Sequence, residues 1–257
     1  MSTKLETLRG YQLHATDGTI GRVRDLLVEE GSWTGRWLVV DTGKWLLGRK
    51  VVLSPVAFEE PDHENKEIRV SLTKEEIESA PSLDSEAPVS REFEKTYFDH
   101  YQWPYYWMGG GLWGGMSQPY SLNPTSTNGK ADLEEPDSLE QRDTILRSGH
   151  ELTKYRLKSN EEVMGYVEDL LIDTDDWSVH YFQCDTRKWW HGKTLQISPE
   201  KVKNADWPDH SLHMNVTQQE LDGAAKEADE GDDAINAQVR ALFGVTTVAS
   251  GDSGSTD

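Results

Sequence analysis

The stretch Asp17-Gly18-Thr19-Ile20-Gly21-Arg22-Val23-Arg24-Asp25-Leu26-Leu27-Val28 decides how this chain folds. It opens on Asp-Gly, a turn signal. Ile20 to Val28 is then rich in Ile, Val and Leu, which fit a pleated, half-buried strand. A second turn signal, Gly31-Ser32, leads into another such run, Arg36 to Asp41. Lys50 to Leu53 and Glu67 to Val70 read as further short strands. No long helices alternate with these runs, so they are predicted to be closely spaced antiparallel strands. Such strands, about four to six of them, suit a small barrel or rolled sheet better than a parallel α/β sheet.

The same pattern returns further along the chain. Gly21 aligns with Gly165 and Trp33 with Trp177 at a constant offset (165 − 21 = 144). Without a gap, that offset pairs Tyr11 with Tyr155, Leu13 with Leu157, Val23 with Val167, and Asp25-Leu26-Leu27 with Asp169-Leu170-Leu171. It goes on to pair Asp41-Thr42 with Asp185-Thr186, Lys44-Trp45 with Lys188-Trp189, Gly48 with Gly192, and Ser54-Pro55 with Ser198-Pro199. It also reaches a helix start. Thr73-Lys74-Glu75-Glu76 and Thr217-Gln218-Gln219-Glu220 both have the capping-box form, in which Thr and Glu satisfy open backbone N–H groups. Self-similarity at a fixed spacing marks a duplicated structural unit. The expected architecture is therefore mainly β with accessory helices, built from two duplicated small antiparallel β-barrels.

The expected boundaries follow from where the repeat stops. Residues 1–82 form the first barrel-like domain and 148–225 the second. Between them, 83–147 hold a helix, an aromatic segment and a flexible linker. Ser90 caps that predicted helix, with Phe93, Tyr97 and Tyr101 on one face, and Gly109 to about Arg147 turns into Gly, Ser, Pro, Asn and acidic residues. Residues 226–257 hold a second helix from Asp232, with Ile235, Val239 and Leu242 on one face and Gly244 as its stop, then a polar tail expected to be disordered.

Composition limits the functions on offer. The 257 residues carry 46 Asp and Glu against 26 Lys and Arg, a net charge of −20, and ten Trp supply a core. Nucleic-acid binding through phosphate neutralisation needs a basic face, so no nucleic-acid partner is expected. Met1 to Gly10 lacks the apolar run of a secretory signal, and the longest apolar run, Trp37 to Val40, is strand-sized. A single cysteine, Cys184, fits a reducing compartment and would also fit a cysteine-poor exported protein. The chain is thus read as cytoplasmic, with membrane contact at most peripheral.

The elements Tyr11-Gln12-Leu13, Asp17 through Val28, Trp37-Leu38-Val39-Val40-Asp41 and Leu53-Ser54-Pro55 resemble the PRC-barrel domain. So does the second copy, from Tyr155 through Gly165-Tyr166-Val167-Glu168-Asp169-Leu170-Leu171-Ile172 to Ser198-Pro199. That domain occurs in the cytoplasmic part of the photosynthetic reaction-centre H subunit and in a ribosome maturation factor. The tandem arrangement, with Tyr101-Gln102-Trp103-Pro104-Tyr105-Tyr106-Trp107 after the first copy, is similar to soluble bacterial two-barrel proteins, mostly without an assigned activity. The resemblance implies two barrels. It implies no catalytic residues, since no position matches the reaction-centre subunit's proton-pathway carboxylates.

Few residues invite chemistry. Asp25 with Asp169, and Asp41 with Asp185, are expected to bond backbone amides as scaffold rather than to act as acids or metal ligands. Lys44-Trp45 and Lys188-Trp189 are expected to pack, with Trp over a barrel mouth and Lys outward. His210 and His213 stand at a strand entry, where spacing by three sends side chains to opposite faces, and His100 and His191 have no ligand partner nearby in sequence. Cys184, equivalent to Val40, is expected to be buried and inert. Ser54-Pro55 and Ser198-Pro199 lack a nucleophile elbow, and Gly109-Gly110-Gly111 with Gly114-Gly115 lacks the context of a phosphate loop. No catalytic residue, metal or cofactor is expected.

The informative segment is aromatic: Tyr97, Phe98, Tyr101, Trp103, Tyr105, Tyr106, Trp107 and Trp113 crowd one stretch. Three readings stand open for it: packing that bridges the two barrels, docking of a protein partner, or contact with a membrane interface. The residues assigned to partner binding are Tyr101, Trp103, Tyr105, Tyr106, Trp107 and Trp113. The leading functional expectation is a non-enzymatic accessory or adaptor protein acting through its barrels and this segment, with self-association also open. The alternative, implied by the resemblance, is a peripheral bioenergetic accessory at the cytoplasmic membrane face, with Asp25 or Asp169 helping to move protons.

Overall fold

A computed structural model describes residues 1–47, 49–84, 88–122, 145–159, 162–185 and 194–215. In chain order it begins with β1 (Ser2–Lys4), α1 (Leu5–Leu8), β2 (Gln12–Ala15), β3 (Gly18–Glu29), β4 (Thr34–Asp41), β5 (Arg49–Leu53) and β6 (Glu67–Arg69). It continues with α2 (Lys74–Ser79), β7 (Leu83–Asp84), α3 (Arg91–Tyr101), β8 (Leu146–Ser148), α4 (Gly149–Leu152) and β9 (Arg156–Ser159). The last strands are β10 (Glu162–Asp173), β11 (Val179–Asp185), β12 (Thr194–Ile197), β13 (Val202–Asp206) and β14 (Ser211–Met214). The fold is mainly β, in two sheets with few helices. Thr217 to Glu220, Lys188-Trp189, His191, Gly192, Gly48 and the helix expected from Asp232 lie outside the described residues.

The sheets run β6-β2-β3-β4-β5-β7 and β12-β11-β10-β9-β14-β13. Their registers match at the sequence offset of 144. Leu38 faces Leu53 and Val39 faces Val52, as Phe182 faces Ile197 and Gln183 faces Gln196. Two expectations need correction. The sheets are mixed, not antiparallel: β2 pairs parallel with β6, and β9 pairs parallel with β14. The long return after β5 or β12 brings the later strand alongside β2 or β9 in the same direction, which a hairpin could not do. The strand paths are also open rather than closed barrels. Ser54 and Ser198 each cap a 3-10 turn, Pro55–Ala57 and Pro199–Lys201, where a closing ladder would have to continue. Proline has no N–H to give to such a ladder. After that turn in the first sheet, the bridges Phe58↔Val70 and Asp62↔Glu67 pair the following segment with β6 and the residue just beyond it.

The chain packs as two compact units. One is Met1–Leu152 with Leu171–His180, the other Thr153–Leu170 with Tyr181–Asp257. This division differs from the boundary placed at 147/148, because the tip of the β10–β11 hairpin belongs to the first unit. There β1 pairs with β10 as Ser2↔Asp173, Thr3↔Ile172 and Lys4↔Leu171. In the same unit β8 pairs with β3 as Leu146↔Glu29, Arg147↔Val28 and Ser148↔Leu27. Each residue of the second set lies 144 positions from its counterpart in the first. The hairpin tips repeat the exchange: Gly35 N–H donates to the Trp177 carbonyl and Val179 N–H donates to the Trp33 carbonyl, both at 2.7 Å. Trp33 and Trp177 both hold left-handed backbone, at φ 52° and 61°.

In the second unit, Leu157, Phe182, Ile197 and Leu212 are fully buried, and Tyr155 packs on Trp207 and His210 at 5.5 and 5.1 Å. Lys158 and Ser211 hydrogen-bond Asp209 and hold its carboxyl down to about 2, with Arg156 adding charge.

Gly21 lies where strands β3 and β4 touch. A Cβ there would clash with the Asp41 carbonyl oxygen and lie 3.0 Å from Thr42 Cα, so only glycine lets the backbones approach. Gly21→Ala is expected to cost about 1–3 kcal/mol, as overpacking does. A wild-type urea midpoint for that variant would show that the strands part without strain.

Candidate functional site

α3 is where the aromatic segment begins. Ser90 caps it by accepting the Phe93 N–H at 3.2 Å, and the helix stops at Gln102, whose left-handed φ of 55° turns the chain back. The stop is tied by Trp103 N–H, which donates to the Phe98 carbonyl at 2.9 Å. The apolar face of α3 lies on Trp37 of β4. Tyr97 meets that indole edge-on at 4.8 Å between ring centroids, with Phe93 and Phe98 at 6.0 and 6.1 Å. Covering the second face of β4 in this way explains why β4 is buried almost throughout, whereas the equivalent β11 alternates.

The six residues assigned to partner binding divide evenly. Trp103, Tyr106 and Trp113 are buried, at 6%, 2% and 0% exposure. Tyr101, Tyr105 and Trp107 are half-buried. Two parallel stacks order the segment, Tyr101 on Trp103 and Tyr105 on Trp107, each at 4.7 Å. Trp113 Nε1 donates to the Asp176 carbonyl at 2.7 Å, which ties the segment to the β10–β11 hairpin tip inside the first unit.

Beneath the rings lies a charge cluster that the sequence reading missed. Glu94 on α3 is fully buried. Its Oε1 accepts the Trp37 indole N–H and the Tyr106 hydroxyl, both at 2.8 Å. Its Oε2 lies 2.9 Å from Arg91 Nη1 with no donor in line. Arg36, 4% exposed on β4, donates from Nε and Nη2 to Glu29 Oε2 at 2.9 and 2.6 Å, and from Nη1 to the Leu112 carbonyl. Its guanidinium also stands 4.1 Å from the Tyr106 ring and 4.7 Å from Trp113. Arg91 does the same for Trp107, at 4.2 Å. Burial pushes the Glu94 carboxyl up, against the opposing pull of Arg91, Trp37 and Tyr106. Burial and the neighbouring Glu94 push the Tyr106 hydroxyl up as well. Two signals could have found the cluster: Arg36 interrupting an apolar strand beside Trp37, and the i, i+3 pair Arg91 and Glu94.

The remaining candidates fall to local roles. Asp25 Oδ1 accepts the Leu26 and His150 N–H groups, and Oδ2 accepts the Ser148 hydroxyl. Asp169 likewise accepts the Leu170 N–H. Asp41 caps the turn at Gly43, and Trp45 sits half-buried under the Lys74 ammonium at 5.5 Å. His213 is near the Ser211 hydroxyl, and His210 packs on Tyr155. Cys184 is buried and its thiol is pushed up by burial and by Glu168. Gly111 N–H donates to the Gly114 carbonyl, closing the glycine run as a tight loop. Among the described residues no group of His, Cys, Asp or Glu could hold a metal ion, and no helix is long and apolar enough to cross a membrane. No protein-family model matches the chain, and no curated protein matches it.

Proposed function

We propose that this chain is a non-enzymatic adaptor, two duplicated small β-sheets whose sequence resembles the PRC-barrel domain, which receives a protein partner on the half-buried edge of Tyr101, Tyr105 and Trp107. The observation that carries this reading is the Tyr105–Trp107 stack, partly open to solvent and set at 11° between ring planes. Interface hot spots are enriched in Trp, Tyr and Arg held in well-packed settings. Here Arg91 stands over Trp107, Phe98 packs against it at 5.6 Å, and Tyr105 is tied to Asp99 through its hydroxyl. Rings already fixed by their neighbours lose little freedom on binding, so more of their contact energy reaches the complex.

A photo-crosslinking residue in place of the exposed Pro104, beside the two stacks, tests the reading in cells and leaves Tyr105 and Trp107 intact, followed by affinity measurement with the captured protein. Tyr105→Ala combined with Trp107→Ala is expected to weaken that affinity by about 30-fold or more, the effect of losing a hot spot, while near-native melting shows the fold is kept. A folded double variant that binds as tightly as the parent would overturn the proposal, as would a crosslinked position that captures nothing.

A further inference from the structure

We infer that the exchanged strand edges form a self-complementary docking surface, and that the partner it fits is a second copy of this chain, taken up by exchange of halves. The inference goes beyond the adaptor reading and uses none of its residues. β1 docks on residues Leu171–Asp173 of β10, and β8 docks on residues Leu27–Glu29 of β3. All four segments lie in the first compact unit. The two docked strands, Ser2-Thr3-Lys4 and Leu146-Arg147-Ser148, match at no position, yet they occupy equivalent registers. Main-chain pairing, not side-chain identity, therefore carries the contact, as it does where an added strand extends a sheet edge.

The hairpin tips make the contact two-sided. Gly35 and Val179 donate to the carbonyls of Trp177 and Trp33 at one and the same distance, which is the pattern of an isologous interface, where each side presents the same patch. None of these bonds requires that the two halves belong to one chain. Residues 123–144 join Leu122 to Ile145 covalently, but the hydrogen bonds of the exchange are made by the strands alone. A second chain offering the same strands meets the same edges. What favours the single-chain form is the covalent link between the halves, which makes their pairing intramolecular.

Lys4 and Leu171 are register partners and neither is buried, so Lys4→Cys with Leu171→Cys reports the exchange by disulfide formation. Cys184 stays out of the reaction because it is buried and its thiol is pushed up. The full-length variant is unfolded in urea, refolded over a range of protein concentrations, oxidised and run on a non-reducing denaturing gel. The ratio of covalent dimer to monomer is expected to rise about tenfold for each tenfold rise in refolding concentration, because a bimolecular pairing competes with an intramolecular one. A chain that stays internally crosslinked at every concentration would overturn the inference. So would a dimer in size-exclusion chromatography that runs as monomers on the gel, because its halves have not been exchanged. Leu27→Cys with Ser148→Cys reads the other edge and must agree. If neither pair forms a disulfide even in the dilute monomer, the register behind the inference is wrong.

Discussion

Replacing Glu94 with alanine is expected to lower the unfolding free energy by about 3–5 kcal/mol, the cost of removing one partner from a buried charge pair. The substitution leaves the Trp37 indole N–H and the Tyr106 hydroxyl without their acceptor, and it leaves Arg91 facing no carboxylate on α3. Water cannot take the vacated place easily, since Trp37, Tyr97, Phe98 and Tyr106 around it are buried. Glu94→Gln keeps an acceptor for Trp37 and Tyr106 while removing the charge, so it separates hydrogen bonding from ion pairing. It also tests the titration. Because burial raises the folded-state pKa of Glu94 above the ordinary glutamate value of 4.5, the folded protein holds that proton more tightly than the unfolded chain does. The stability gained from this is fully present below 4.5 and declines as pH rises from there through the folded-state value. Urea melts of wild type and Glu94→Gln across that range should diverge in slope, with the variant flatter. Parallel curves would show that Glu94 does not titrate in this window.

Trp177→Ala is the second large effect, also about 3–5 kcal/mol for removing a fully buried indole. Trp177 is 1% exposed, and its ring lies 5.4 Å from Phe58. Its backbone is held from both sides, since its N–H donates to the Asp173 carbonyl and its carbonyl accepts the Gly35 N–H, each at 2.7 Å. The surrounding chain therefore has little freedom to collapse into the vacated space. The left-handed φ of 61° adds a second, more discriminating expectation. A residue with a Cβ carries a penalty of about 1–2 kcal/mol in that conformation, and glycine does not. Trp177→Gly should accordingly be no less stable than Trp177→Ala, the reverse of the usual order within a strand or helix. An alanine variant more stable than the glycine one would show that the turn relaxes when the indole is lost.

Much of the first copy was legible. The Ile20 to Val28 and Arg36 to Asp41 runs appear as β3 and β4, β3 longer by two residues at its start and one at its end, β4 longer by two at its start. The helix expected from Ser90 runs Arg91–Tyr101, and the Thr73 capping box forms, with Thr73 Oγ1 accepting the Glu76 N–H and Glu76 Oε2 accepting the Thr73 N–H. These features carry their signal locally, in turn residues, caps and apolar spacing. The parallel partnership of β2 with β6 carries no such signal, because the direction of a neighbouring strand leaves side-chain alternation unchanged. Ser2-Thr3-Lys4 is polar and short, so nothing in its composition points to a partner near Asp173. The charge cluster was hidden for a related reason. Glu29 and Arg36 sit on two strands and Arg91 and Glu94 on a helix far along the chain, so only folding brings them together.

The pairing of β1 with β10 also sets an order of events during synthesis. Ser2 leaves the ribosome 171 positions ahead of its register partner Asp173 (173 − 2 = 171). At about 5–20 residues per second the first strand waits about 10–30 s for its place in a sheet. During that interval Leu27–Glu29 of β3 also lacks its own late partner, β8. A nascent chain therefore presents two edges whose partners are still to come, and on a polysome the waiting edges of neighbouring molecules stand close together.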